Sequence, residues 1–409
     1  MLKLLVIADD FTGALDTGVQ FSKQGAKTLV STEVNIDYQK ISDSVEVLVI
    51  DTESRHLEFE VAYNIIKDIV LNAKKENIPY IYKKVDSALR GNISAEIKAL
   101  VDYGNQEVVP FLPSYPEMNR VLVDGHLYID QVLVSESVFA EDPYEPVTES
   151  NVMKRLKEEA HIEATLVNEE GLPIEKNEVY VFDARSNATL DKHMKWLNDS
   201  ESLNISVGCA GFANVLGQHL FPDGRNKNEV LDNPIVVICG SINPITQKQV
   251  EYVEQLGYPR ISLSGKQLLD INHWDSNKGQ EEINAYLELI NTNKLIAFET
   301  FSDQTSKEIV NYRKQYQLEE RESRFRIGAS LGKLTELLWM NHHQNTFLFT
   351  GGDTLYQSMK MLNISEIEPM TEISSGVVLS TMEWNKQQRK VITKSGGFGK
   401  ETLFTEFIV

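Results

Sequence analysis

Short apolar runs recur along the chain, each separated from the next by a helix-length polar stretch: "LKLLVIA" (2–8), "AKTLVS" (26–31), "VEVLVID" (45–51), "YIYKKVD" (80–86), "VYVFDA" (179–184) and "NISVGCA" (204–210). Runs that are apolar throughout suit parallel strands buried on both faces, joined by crossover helices. One intervening stretch, "EFEVAYNIIKDIVLNAKKEN" (58–77), carries Val61, Ile65, Ile66, Ile69 and Val70 at helical spacing. The rhythm breaks at "FPDGRNKNEVLDNP" (221–234), polar with two prolines and a glycine. It restarts with "PIVVICGS" (234–241), "KLIAFET" (294–300), "NTFLFTGG" (345–352), "GVVLSTM" (376–382) and "RKVITKSGG" (389–397). The pattern predicts an α/β protein of two domains, 1–225 and 235–409, each a mostly parallel sheet flanked by helices. The stretch "VMKRLKEEAHIEA" (152–164) reads as a helix with a solvated face.

The 409-residue length exceeds what one compact core holds, which agrees with two domains. A hydrophobic fraction of 42% and a charged fraction of 24% are those of a globular chain. The formal charge of −20 argues against nucleic acid or an anionic membrane as partner. A small anionic ligand would need a local basic cluster. No apolar stretch approaches the roughly 20 residues that span a bilayer, and "MLKLLVIADD" is too short in its apolar part for a signal peptide; the expected location is cytoplasmic. Cys209 and Cys239 suggest no disulfide framework. The histidines show no metal-ligand spacing, the pair His342–His343 reads as a polar helix end, and no protein metal site is expected.

Ligands of open parallel sheets bind at the carboxyl ends of strands, and the unusual polar residues fall there repeatedly. Asp9 and Asp10 follow the first strand, "DTESRH" (51–56) the third and "DSALRGN" (86–92) the next; Arg185 follows "VYVFDA". In the second half Ser241, "TGGDT" (350–354) and "KSGGFG" (394–399) take equivalent places. The expectation is an active site in the interdomain cleft. Asp51, Arg55, Lys83, Lys84, Asp86 and Arg90 form the basic cluster that the overall charge hides. Arginine forks onto carboxylates, and a carboxylate beside basic groups stays ionised and accepts from hydroxyls. Together these residues describe a site for a small hydroxy acid. Strand alternation sets Lys84 and Asp86 on one face and Lys83 on the other, so the two lysines differ in role. The plain alternative is a set of structural ion pairs, with Asp9 or Asp10 capping the next helix. The glycine-rich turns of the second half, with Ser241 and Thr246 in "CGSINPIT" (239–246), suit a phosphate approached by backbone N–H groups. A Walker A loop is absent, "GASLGKLT" (328–335) being one residue short between its glycines, and no G-x-G-x-x-G appears.

Eight segments, "IADDFTGALD", "DTESR", "YKKVDSALRGN", "PFLPSYPEMNRVLVDGHLYI", "GCAGFA", "CGSINPIT", "FTGGDT" and "KSGGFG", resemble in their order the four-carbon acid sugar kinases, whose members include D-threonate, D-erythronate and 3-oxo-tetronate kinases. The resemblance runs from residue 5 to about 405 and departs from the family at Phe11 and Gly397. It implies ATP-dependent phosphorylation of the terminal hydroxyl of a tetronate with Mg2+, an acid-sugar-binding domain over 1–225 and a nucleotide-binding domain over 235–409. The implied ATP contacts are Ser241, Gly351, Gly352, Asp353, Thr354, Gly396 and Gly397. The implied acid contacts are Asp10, Arg55, Lys83, Lys84, Asp86 and Arg90. On this reading Asp10 orients and deprotonates the hydroxyl, Asp9 supports it, and Arg55, Arg90 and a lysine clamp the carboxylate. The intact "KKVDSALRGN" leans toward a threonate- or erythronate-type substrate. A homo-oligomer is compatible with it. Three alternatives remain: a kinase for 3-oxo-tetronate or another small sugar acid, a hydroxy-acid oxidoreductase, and a non-catalytic protein that binds sugar acid and nucleotide. A substrate panel, an NAD(P) absorbance change and ADP release separate them.

Overall fold

The computed structural model describes residues 2–142, 144–169, 177–222, 224, 231, 234–341 and 345–408. Contacts divide the chain into unit 1, Met1–Asn226, and unit 2, Lys227–Val409. The pair His342–His343 and most of the segment 221–234 lie outside the described residues.

Unit 1 contains strands β1 (Leu4–Ala8), β2 (Thr28–Ser31), β3 (Val47–Asp51), β4 (Tyr80–Lys84), β5 (Val109–Leu112), β6 (Arg120–Val123), β7 (His126–Ile129), β8 (Val132–Leu133), β9 (Ala164–Val167), β10 (Val179–Phe182) and β11 (Ile205–Gly208). Its helices are α1 (Phe11–Ser22), α2 (Phe59–Lys75), α3 (Ile93–Tyr103), α4 (Val152–Ala160), α5 (Asn187–Asp199) and α6 (Ala210–Leu220). Every described pairing in the order β2-β3-β1-β4-β11-β5-β10-β9 is parallel, while β6, β7 and β8 form a small antiparallel sheet. The core joins Ile7, Ile50 and Ile81 of the strands to Ile66, Ile69 and Val70 of α2. Val61, counted above with that apolar face, is exposed.

Unit 2 contains β12 (Ile235–Cys239), β13 (Arg260–Ser262), β14 (Leu295–Glu299), β15 (Thr346–Thr350), β16 (Glu366–Ser374), β17 (Val377–Trp384) and β18 (Gln387–Lys394). Its helices are α7 (Pro244–Gln255), α8 (Gly265–Leu269), α9 (Asn277–Thr292), α10 (Asp303–Tyr316), α11 (Glu320–Asn341) and α12 (Gly352–Met361). The order β13-β14-β12-β15-β18 is parallel, but β17 is antiparallel to both β16 and β18. This corrects the parallel reading of 376–382. Asn385 and Lys386 both take positive φ, 50° and 62°, the two-residue turn that folds a chain straight back on itself.

Both units use one topology. The first strand is flanked by the third and fourth, with the second outside the third. Connections therefore leave the first strand in opposite directions, and this switch point opens a crevice at its carboxyl end. Register keeps the strand ends level: Ala8 pairs with Asp51 and Lys84, and Cys239 with Glu299 and Thr350, which in turn pairs with Lys394.

Candidate functional site

In unit 1 the level ends of β1, β3 and β4 bring the predicted residues together. Asp10 caps α1, its Oδ1 accepting from the Gly13 N–H at 3.1 Å. Arg55, from the turn after β3, donates from Nε to Asp9 Oδ2 at 2.7 Å and from Nη2 to Asp10 Oδ1 at 2.6 Å, and lies 3.7 Å from Asp86 Oδ1. Asp86 in turn accepts a forked pair from Arg90, 2.9 and 3.0 Å, and the backbone N–H groups of Ala88 and Arg90. Arg90 Nη1 also donates to Asp142 at 3.2 Å. The ion pairs and the helix cap of the plain alternative are therefore real, and they hold the carboxylates in fixed places.

The two lysines do differ. Lys83, with no exposed surface, pairs with Glu96 at 3.0 Å and donates to the carbonyls of Ile7 and Lys84. Its ammonium thus lies behind the strand ends and supports the site from within. Lys84 is also nearly buried, but its ammonium sits over Gly13, 2.9 Å from where a Cβ there would stand. Arg185 is exposed.

Burial would lift the Asp9 carboxyl, but Arg55, Lys83 and Lys84 outweigh it and hold Asp9 below the ordinary carboxylate range. For Asp10 burial wins, reinforced by the Asp9 and Asp86 charges, and its carboxyl is lifted. Asp51 is raised further, by burial and then by Glu53 and Asp10. Asp86 is held well down, Arg90 and Arg55 overcoming burial. Asp9 Oδ1 and Asp51 Oδ2 are buried with no hydrogen-bond partner among the described residues. Buried acceptors seldom stay unpaired, so these oxygens suit the hydroxyls of a polar ligand.

Gly13 keeps this geometry open: a Cβ there would lie 2.5 Å from Asp10 Oδ1 as well as 2.9 Å from the Lys84 ammonium. Gly13→Ala should cost about 1–3 kcal/mol of stability, because the crowding of Asp10 and Lys84 outweighs the better helix propensity of alanine, and should lower kcat/KM by about 10²-fold through misplaced groups in the protein that remains folded. Thermal melts and steady-state kinetics on the same preparation check this; unchanged kcat/KM would mean that Asp10 and Lys84 do not act from these positions.

In unit 2 the predicted residues also converge. Asn243 caps α7 and Pro244 opens it; Gly351, at φ +89°, opens α12. The Ser241 N–H donates to Thr350 Oγ1 at 3.4 Å, and a Cβ on Gly396 would lie 2.7 Å from Ser241 Oγ. Two helix N-termini and a glycine turn therefore meet, as a phosphate requires. Thr354 is buried and donates to the Thr350 carbonyl; Asp353 is exposed, 3.8 Å from Arg324. A Cβ at Gly397 would meet only Asn243 Nδ2, at 3.6 Å. "GASLGKLT" lies within α11, where it forms no loop.

Lys394 was overlooked in "KSGGFG", where the glycines draw the eye. Its ammonium, with no exposed surface, donates to Thr246 Oγ1 at 3.0 Å and to the carbonyls of Ser395 and Gly396 at 3.1 and 2.9 Å. Burial pushes it down to about 8, and no carboxylate pairs with it among the described residues. A strand ending in lysine before a glycine turn was the available signal. Arg120 and Glu96 were also missed, because their partners come from distant segments.

Two family models cover the chain: a sugar-binding N-terminal domain matches residues 4–216 and a nucleotide-binding C-terminal domain residues 236–404. The D-threonate kinase of Salmonella typhimurium is 26% identical, over 99% of this chain and 97% of its own. The D-erythronate kinase of Heliobacterium modesticaldum is 24% identical over 98% and 94%, and the 3-oxo-tetronate kinase of Haemophilus influenzae 25% over 98% and 97%. Solved proteins from Salmonella typhimurium and Haemophilus influenzae share the fold at TM-scores of 0.80 and 0.78, each at 22% identity; they cover 99% and 98% of this chain, and the match spans 98% of either structure. Among the described residues no helix is long and apolar enough to cross a membrane. The chain belongs to the four-carbon acid sugar kinase family, enzymes that phosphorylate an alcohol group.

Proposed function

We propose that this protein transfers the γ-phosphoryl group of ATP to the C4 hydroxyl of D-threonate or D-erythronate. Unit 1 binds the acid and unit 2 the nucleotide. The observation that carries this reading is the carboxylate pair Asp9–Asp10, fixed by Arg55 at a switch point, with one buried oxygen unpartnered.

Both bonds to the Asp10 carboxylate fall on Oδ1, from Gly13 and Arg55. Its Oδ2 is the proton acceptor: the substrate hydroxyl oxygen bonds to the γ-phosphorus, the bond from that phosphorus to the β-γ bridging oxygen breaks, and the hydroxyl proton passes to Asp10. Asp9 Oδ1 and the raised Asp51 carboxyl hold the neighbouring hydroxyls. In unit 2 the N-termini of α7 and α12, the Ser241 hydroxyl and the Gly396 turn hold the phosphates, with the Lys394 charge beneath them. Phosphoryl transfer asks chiefly for such positioning and charge stabilisation. The glycine cradle and the buried cation fit a polyphosphate. Mg2+ carried in with ATP would supply further neutralisation of the phosphate charge.

The test is ADP release with MgATP against D- and L-threonate, D- and L-erythronate and their 3-oxo forms. Strong release with D-threonate or D-erythronate is expected. Preference for a 3-oxo acid would move the enzyme to that branch, and silence from protein that binds ADP would reject a tetronate acceptor. Failure to bind nucleotide at all would reject the donor.

A further inference from the structure

Pairing each cation at the carboxyl edge of the unit 1 sheet with its carboxylates leaves two over besides the exposed Arg185. Arg55 is taken by Asp9, Asp10 and Asp86. Arg90 is taken by Asp86 on both oxygens and by Asp142. Lys83 is taken by Glu96. The arginines expected to clamp the substrate acid therefore already hold protein carboxylates. Lys84, 5% exposed, has neither a hydrogen-bond partner nor an ion pair among the described residues. Arg120, at the start of β6, donates from Nη1 to Ser87 Oγ; among the described residues it pairs with no carboxylate and its buried Nε has no partner.

These two lie on one side of the site. Lys84 is level with Gly208 on the neighbouring strand β11, and both Lys84 and Arg120 act electrostatically on the Cys209 thiol that follows. The Cys209 thiol donates to the carbonyls of Pro113 and Ser114, and Ser114 Oγ accepts from the Leu122 N–H of β6. The hairpin is thereby tied to the end of β11. The Phe139 ring lies 5.3 Å from the guanidinium carbons of both Arg90 and Arg120, which holds the Arg120 side chain in place. Lys84 feels the Asp9, Asp10 and Asp86 charges without hydrogen-bonding to any of them, and the half-buried Arg120 has no carboxylate in ion-pair reach among the described residues, so both keep donors for an arriving anion.

We propose that Lys84 and Arg120 bind the carboxylate of the sugar acid, with Arg120 as a specificity-determining residue. Arg55 and Arg90 instead hold the protein's own carboxylates in place. The unpaired groups then sort by sign: cations at Lys84 and Arg120 receive the acid end, and oxygens at Asp9, Asp10 and Asp51 receive hydroxyls. A chain with a carboxylate at one end and hydroxyls along it matches this arrangement; a neutral polyol does not.

The inference rests on the kinase reading above, so the experiment first identifies a tetronate that the wild-type enzyme phosphorylates. Absence of any such turnover overturns that reading. With a tetronate in hand, Arg120→Gln should raise its KM by about 10- to 100-fold, the worth of a hydrogen bond to a charged group, while kcat at saturation and the affinity for ADP stay within a few-fold. Arg120→Lys, which keeps the charge, should recover much of the loss. An unchanged KM in Arg120→Gln overturns the assignment. So does a fall in kcat and melting temperature that lysine fails to restore, since that pattern marks a role in packing alone.

Discussion

Replacing Asp10 with asparagine should lower kcat by about 10²- to 10⁴-fold, the usual contribution of a positioned general base, while ADP affinity stays within a few-fold. The substitution is clean for a structural reason. Asparagine caps helices as well as aspartate does, so the Gly13 N–H keeps its acceptor and α1 keeps its start. Arg55 retains Asp9 and Asp86 as counter-charges. What disappears is the acceptor for the hydroxyl proton. The pH dependence adds a second reading. A base works only when deprotonated, so wild-type activity falls as the pH drops through its pKa. Because burial and the charges of Asp9 and Asp86 lift the Asp10 carboxyl, this acid limb should lie above the ordinary carboxylate range, and it should be missing from the residual activity of Asp10→Asn. Coupled ADP release from pH 4.5 to 8, with calorimetric ADP binding, decides the matter. Activity within a few-fold of wild type would transfer the base role to another group.

The strand-end residues were legible because they depend on local facts. An apolar run followed by a charged turn locates a carboxyl end whatever the strand order, and period-two alternation was enough to separate Lys83 from Lys84. Strand order itself was not legible: nothing in periodicity says that β1 lies between β3 and β4, or that unit 2 repeats that arrangement. The small sheet was missed although "VDGH" carries its signal, an Asp-Gly pair whose residues Asp124 and Gly125 take φ of 49° and 72°. With that hairpin went Arg120. Strand β5, "VPFL", is short and carries a proline, which weakens its strand signal, and β13 is only three residues long. The pairing of charges was hidden for another reason. Sequence shows that Arg55, Arg90, Lys83 and Lys84 accompany several carboxylates, but which cation is consumed by which carboxylate depends on tertiary geometry. Nothing local to the sequence singles out Glu96 on α3; only the fold sets it against Lys83.

That pair should produce the largest stability effect in unit 1. Lys83 and Glu96 are both essentially unexposed, 0% and 1%, and Glu96 also accepts from Ser54 Oγ at 2.5 Å, whose oxygen lies 2.8 Å from Thr52 Oγ1. One ion pair thus ties β4, the first turn of α3 and the loop after β3 together behind Asp9. Removing one member of a buried pair typically costs about 3–5 kcal/mol, far more than the pair gains over an apolar replacement. Lys83→Met should reach that range at alkaline pH. The sign follows from Glu96, which burial already lifts despite Lys83, with Asp9 adding to the rise. Without Lys83 its folded pKa climbs further. A carboxyl raised in the folded state costs nothing below its unfolded pKa, and the cost grows by about 1.4 kcal/mol per pH unit until the folded pKa is passed. The deficit of Lys83→Met should therefore be smaller at pH 5 than at pH 8, and Lys83→Met with Glu96→Gln should recover most of it by removing the stranded charge. Hydrogen exchange at the β1 and β4 amides reads unit 1 alone. A deficit that ignores pH, or a double variant no better than Lys83→Met, would mean that the lysine stem packs the core and its charge does not matter.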